Sequence, residues 1–124
     1  MTTSSPTDLV RVKYIALSKA GQKEVAIVSI NRPNQLNCFN EEVCHGLASV
    51  FASLQKEKDS LVAVIFTGMG DSFCAGADLS NPPNPIQQSS DLCLEQNPVY
   101  QMKLLPVPLI GALKGHVITG GFEL

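Results

Sequence analysis

With 124 residues, 44% of them apolar, and a formal charge of −2, the chain suits one modest soluble core or part of a larger one. Nine Lys/Arg against eleven Asp/Glu, with no basic cluster, exclude the electrostatic footprint of a nucleic-acid or anionic-membrane partner, and no apolar run reaches the length of a membrane span. The four cysteines (Cys38, Cys44, Cys74, Cys93) form no Cys-x-x-Cys pair, and with only His45 and His116 beside them no metal-site spacing arises; free thiols suit a reducing compartment.

In chain order, residues 1–9 are expected to form a flexible tail and residues 10–124 one partial domain. Met1–Asp8 has neither a signal-peptide core nor an Arg-rich amphipathic helix, so it names no compartment. Val10, Val12 and Tyr14 alternate with Arg11 and Lys13, which predicts a half-buried strand. Lys19–Gln22 is the turn into a second strand, Glu24–Ile30, which Asn31-Arg32-Pro33-Asn34 breaks. Asn40 is a good N-cap, Glu41 and Glu42 suit the positive end of a helix, and Val43, Leu47, Val50, Phe51 and Leu54 share one helical face. That helix should end near Lys56–Lys58. The continuous apolar run Leu61–Thr67 predicts a strand buried on both faces, and strands separated by a helix predict an α/β unit. Asn81–Pro98 is Pro-rich, then polar, and reads as an irregular flap. A short helix around Val99–Leu105 is expected to turn Gln101 and Lys103 outward, and a strand follows over Leu109–Leu113 until Gly115 breaks it.

Two small-residue stretches concentrate the possible chemistry. Phe73-Cys74-Ala75-Gly76-Ala77-Asp78-Leu79 follows the Leu61–Thr67 run, and Thr119-Gly120-Gly121-Phe122-Glu123-Leu124 follows the last strand. Gly76 has no Cβ and its alanine neighbours carry only a methyl, so the backbone can approach a ligand closely. Such loops can aim amide N–H groups at a developing negative charge. Two donor loops and an acid compose a candidate oxyanion site, although on spacing alone both loops are also ordinary strand-to-helix turns. Thr67–Phe73 imitates the opening of a dinucleotide fingerprint, but Phe73 stands where the third glycine belongs. No Walker lysine and no Gly-x-Ser-x-Gly elbow are present.

These stretches, with Ile30-Asn31-Arg32-Pro33, Leu36-Asn37, Val64-Ile65-Phe66-Thr67-Gly68 and Pro106–Gly115, occur in an order that resembles the crotonase superfamily of enoyl-CoA hydratases and isomerases. The likeness runs from about Val10 to the last residue and leaves out the Pro-rich segment. The chain resembles in particular the plant-type peroxisomal monofunctional hydratases, whose sequence is similar at Gly-Phe-Glu-Leu. The resemblance implies an α/β fold: the N-terminal portion of a superhelix of ββα turns, truncated inside a motif at Leu124.

Laid residue by residue on this chain, the resemblance implies that the backbone N–H groups of Ala77 and Gly120 hold the thioester oxygen of an acyl-CoA. Glu123 falls on the first of two glutamates that hold and activate water, the second lying beyond Leu124; the competing role is an acid placed for a helix dipole. Ala75, Leu79 and Ser80 fall where the loop passes the adenine and pantetheine arm, and Gln35 and Leu36 form a second coenzyme-lining stretch. Asp78 either caps the turn after the loop or joins that lining. His116 is a packed or exposed histidine without an assigned role, and Cys74 is a small core residue rather than a nucleophile. The implied activity is reversible hydration of 2-enoyl-CoA thioesters in fatty-acid or branched-chain degradation. Its alternatives are an isomerase of the same superfamily or a non-catalytic fragment that binds CoA or partner subunits. No metal and no cofactor beyond the substrate's own CoA are implied. Neither is a nucleic-acid or membrane partner. Relatives form homotrimers or hexamers, in peroxisomes or mitochondria.

Overall fold

Apolar–polar alternation in the first strand and an apolar second strand build a hairpin that buries one face. A computed structural model describes residues 9–17, 23–57, 59–76 and 95–117. β1 (Val10–Ala16) pairs antiparallel with β2 (Glu24–Ile30), with Val12 opposite Val28 and Tyr14 opposite Ala26. Ala26, Val28 and Ile30 are fully buried, while Arg11 and Lys13 project from the other face. The expected turn at Lys19–Gln22 lies outside the described residues, as does the tail except for Leu9, whose carbonyl accepts from the Asn31 amide at 2.7 Å.

Helix α1 (Glu41–Gln55) carries the chain back across the sheet. Asn40 caps it as expected, its side-chain oxygen accepting from the Val43 amide at 2.9 Å, and Glu41 and Glu42 occupy the first turn. Val43, Leu47, Phe51 and Leu54 are buried against the sheet and Val50 is half-buried. β3 (Leu61–Gly68) lies parallel to β2, and β4 (Leu109–Gly111) parallel to β3, giving the order β1-β2-β3-β4. A strand, a helix and a parallel strand form the expected α/β unit. At the edge of the core Tyr14 donates to the Glu57 carboxylate at 3.1 Å; burial first, then that bond, push its pKa up to about 12.

Three expectations need correction. β3 is not buried on both faces: Leu61, Val64 and Phe66 are buried, whereas Val62 is 43% exposed and Ile65 and Thr67 are half-buried. Only one layer, α1 with the short α2 (Pro98–Lys103) beside it, covers the described sheet, so the apolar second face stays partly open. Gln101 does not face out. It is buried between the helices, where Gln55 Nε2 donates to its carbonyl at 2.9 Å and to its Oε1 at 2.8 Å, and its own amide reaches the Glu95 carbonyl. Amphipathic spacing does not reveal a polar residue whose partners come from another element. β4 ends at Gly111 rather than Leu113, because beyond Ala112, whose amide donates to the Phe66 carbonyl, the chain turns toward Asp71 and Ser72. Residues 81–94 of the expected flap lie outside the described residues, and Pro98 opens α2 behind an Asn97 cap.

The core continues into the loop after β3. Phe51 meets Phe66 edge-on at 5.6 Å between ring centroids, and Phe66 meets Phe73 at 5.2 Å. Phe51→Ala should therefore destabilise the fold by about 3–5 kcal/mol in urea denaturation, against less than about 0.5 kcal/mol for the exposed Ser49→Ala on the same helix. Equal effects would show that this helix face is not the core.

Candidate active site

The ends of β2 and β3 and the loops that leave them form the candidate site, with Asn37 between them. After β2 the chain makes a single 3-10 turn, Pro33–Gln35, then enters the left-handed region at two successive non-glycine residues, Leu36 (φ 52°) and Asn37 (φ 57°). Asparagine tolerates this conformation and leucine does not, so the surroundings must hold it there. The holding bonds are present. The amides of Leu36, Asn37 and Cys38 donate back to Pro33, Arg32 and Gln35, and Arg32 reaches the Cys38 carbonyl at 2.7 Å. Asn37 has no exposed surface; its Oδ1 accepts from the Arg32 amide at 2.8 Å, and its Nδ2 donates to the carbonyls of Met69 (2.8 Å) and Ser72 (2.7 Å). One carboxamide thus ties together the loop after β2, the end of β3 and the small-residue loop.

Gly68 is glycine because of this junction: a Cβ there would collide with the Phe73 and Ser72 carbonyls and with the Asn37 amide nitrogen. Gly76 (φ 104°) supplies the second permissive position, where the loop turns away. Between them the Ala75 amide donates to the Leu36 carbonyl at 3.0 Å and the Phe39 amide to the Gly76 carbonyl at 2.9 Å. The two stretches expected to line a coenzyme, Gln35–Leu36 and Ala75, are therefore neighbours. Gln35 is exposed and the Leu36 side chain is 42% exposed, an apolar surface beside a half-buried Ala75.

The other loop arrives alongside. Phe73 donates to the Lys114 carbonyl at 2.7 Å, Cys74 donates to the His116 carbonyl at 2.9 Å, and Cys74 pairs with Val117 in a parallel bridge. The expected oxyanion donors, Ala77 and Gly120, each stand three residues beyond that bridged pair. Ala77, Asp78, Leu79, Ser80, Gly120 and Glu123 themselves lie outside the described residues. His116, given no role by the sequence, is hydrogen-bonded through its Nδ1 to the Ser72 hydroxyl at 3.0 Å. Cys74 and Cys44 are buried, and burial pushes their thiols up to about 11 and about 12, as suits core residues rather than nucleophiles. No cluster of potential metal ligands occurs among the described residues. A separate hollow of about 460 Å³ opens on the second face of the sheet beside Arg11, Lys13, Ile27, Ser29 and Met69, and of the described residues expected to line a coenzyme, Gln35, Leu36 and Ala75, none borders it.

Asn37 and Ser72 are the positions to which sequence reasoning assigned no function. An asparagine after a turn was a usable signal for a left-handed backbone; its burial was not, because the carbonyls it satisfies are distant in sequence. Asn37→Asp tests the junction. It retains the acceptor for Arg32 but faces a carboxylate with two carbonyl oxygens in a buried place, which raises the introduced carboxyl's folded pKa above the unfolded value near 3.9. Stability of Asn37→Asp should therefore fall as pH rises above about 4, and the wild-type protein should show no matching loss in parallel denaturation curves.

Comparison with known proteins agrees with this geometry. Residues 20–124 match the family model described as enoyl-CoA hydratase/isomerase. The chain is 40% identical over 100 residues to "Probable enoyl-CoA hydratase 1, peroxisomal" of Arabidopsis thaliana, an alignment that covers 81% of this chain and 37% of that protein. It is 35% identical over 113 residues to the Short-chain-enoyl-CoA hydratase of Clostridium acetobutylicum, covering 89% and 42% respectively. The crystal structure of enoyl-CoA hydratase from Mycobacterium tuberculosis superposes with a TM-score of 0.67 at 32% identity, over 93% of this chain and 41% of that one. The chain thus spans about two fifths of the length of these relatives, and its sheet is part of a crotonase fold. On the extent of the family match and the shared architecture, the chain belongs to the enoyl-CoA hydratase/isomerase family.

Proposed function

We propose that this chain supplies the oxyanion-binding part of an enzyme that adds water reversibly to 2-enoyl-CoA thioesters. One observation carries the proposal within the family: the parallel Cys74–Val117 bridge sets the start of the first small-residue stretch beside the segment that precedes the second. The backbone N–H groups of Ala77 and Gly120 are the proposed donors to the thioester oxygen. Water oxygen bonds to C3, one water proton passes to a carboxylate, and the double-bond electrons move into the thioester as an enolate. A proton delivered to C2 then restores the thioester, so the elements of one water molecule are added. The donors matter because the negative charge peaks on that oxygen; removing one such donor in other enzymes costs about 3–4 kcal/mol.

Glu123 is the proposed carboxylate, and the acid–base pair is completed by a second acid from outside this chain. Gln35, Leu36, Ala75, Leu79 and Ser80, with Asp78 capping the turn or joining them, form the proposed cradle for the CoA moiety, which is part of the substrate and the only cofactor-like group required. The pairing of the Ala75 amide with the Leu36 carbonyl supports this cradle, since it joins its two halves. An isomerase is the second reading, because moving a double bond uses the same oxyanion donors. Assembly into trimers or paired trimers and a peroxisomal or mitochondrial setting extend the proposal by likeness to relatives.

The test is hydration of crotonyl-CoA, followed by loss of the enoyl-thioester absorbance. The full-length protein should turn over, and Glu123→Gln should lower kcat by about a hundred- to ten-thousand-fold with acyl-CoA affinity nearly unchanged. The 124-residue chain alone should not reach an enzymatic rate. Full activity in Glu123→Gln would return that residue to a helix-dipole role.

A further inference from the structure

We propose that Ser72 and His116 form a positioning clasp that holds the two donor loops in register, an inference that rests on the function proposed above. Among the described residues, the amides of Phe73 and Cys74 donate to the Lys114 and His116 carbonyls, the second bond belonging to the Cys74–Val117 bridge. Ser72 adds two bonds at the entrance to this contact. Its Oγ accepts from the His116 backbone amide at 3.3 Å and is hydrogen-bonded to His116 Nδ1 at 3.0 Å. Ser72 is buried and His116 exposed, so the serine is the fixed half of the pair.

The serine is fixed from the other side as well. Its carbonyl accepts from Asn37 Nδ2 at 2.7 Å. Position is therefore passed along one continuous path, from the Asn37 carboxamide through Ser72 to His116, and from there to the segment leading toward Gly120. Backbone contact reinforces the same point, since Gly115 (φ 56°) lies so close to Asp71 and Ser72 that a Cβ would collide with the Asp71 carbonyl. Both loops are thus referred to a single origin. The clasp touches neither substrate nor the reacting atoms; it acts through the amides it places. A displacement of about 1 Å at such groups can cost on the order of a hundredfold in rate.

Ser72→Ala and His116→Phe in the full-length enzyme should each lower kcat by about tenfold, with KM changed less than about twofold. The double variant should be no worse than Ser72→Ala alone, because the serine substitution already removes the side-chain bond that His116→Phe removes. His116→Asn, which returns an acceptor near the Nδ1 position, should recover most of the rate. Acetoacetyl-CoA provides a readout besides turnover: the ultraviolet band of its bound enolate reports the oxyanion donors directly. The band should weaken in the Ser72→Ala and His116→Phe variants and return in His116→Asn. Wild-type protein that gives no enolate band would overturn the proposed function itself. A wild-type band retained unchanged in Ser72→Ala, with only the melting temperature lowered, would overturn the clasp and leave that function standing. If Ser72→Ala does not fold, the exposed His116→Phe decides the matter alone.

Discussion

The three hydrogen bonds of the Asn37 carboxamide are the constraint on which the described site depends. They satisfy one amide and two carbonyls from three separate segments around a carboxamide with no exposed surface of its own. Each such bond contributes only about 1 kcal/mol net, but leaving its partner buried and unpaired costs about 1–3 kcal/mol. The asymmetry makes the junction nearly all-or-none: it can be complete, or the loops must move until water enters. It also accounts for the left-handed backbone at Leu36 and Asn37, a strained geometry that persists only where its surroundings over-determine it. Gly68 follows from the same demand, because the Asn37 amide and two carbonyls occupy the space of its missing Cβ.

The rest of the fold supports that junction. The edge-on contacts from Phe51 through Phe66 to Phe73 couple the helix, the central strand and the site loop, so the small-residue segment is anchored by a large buried ring just before it becomes small. A loop of alanines and glycines has few side-chain contacts of its own to hold it. Phe73 on one flank and the Leu36–Ala75 and Phe39–Gly76 bonds on the other give it rigidity without bulk. Oxyanion chemistry needs this combination, because a donor that must reorganise during the reaction loses much of its advantage.

Legibility in the sequence followed the range of the interactions. Local patterns were readable: the alternation of β1, the Asn40 cap and the buried stripe of α1 all depend on neighbours a few residues away. The likeness of ordered motifs correctly placed the chain in its family and its fold. What could not be read depends on partners far along the chain. Gln101 is buried because Gln55 meets it, and Ser72 matters because Asn37 and His116 flank it. The apolar run of β3 suggested cover on both faces, yet only one described layer covers it, and composition cannot count layers. Around the site, Gln35, Leu36 and Ala75 are neighbours in the fold, whereas the asparagine beside them received no role in the sequence reading.

The central claim is that two loops distant in sequence present free backbone amides to one oxygen. A crystal structure of the full-length protein with a bound acyl-CoA thioester tests it most directly. The account predicts the thioester oxygen about 3 Å from both the Ala77 and the Gly120 nitrogens, which then lie about 4–6 Å apart, with neither amide engaged in a ladder or helix bond. Nitrogens more than about 8 Å apart, or both already paired within secondary structure, would contradict it.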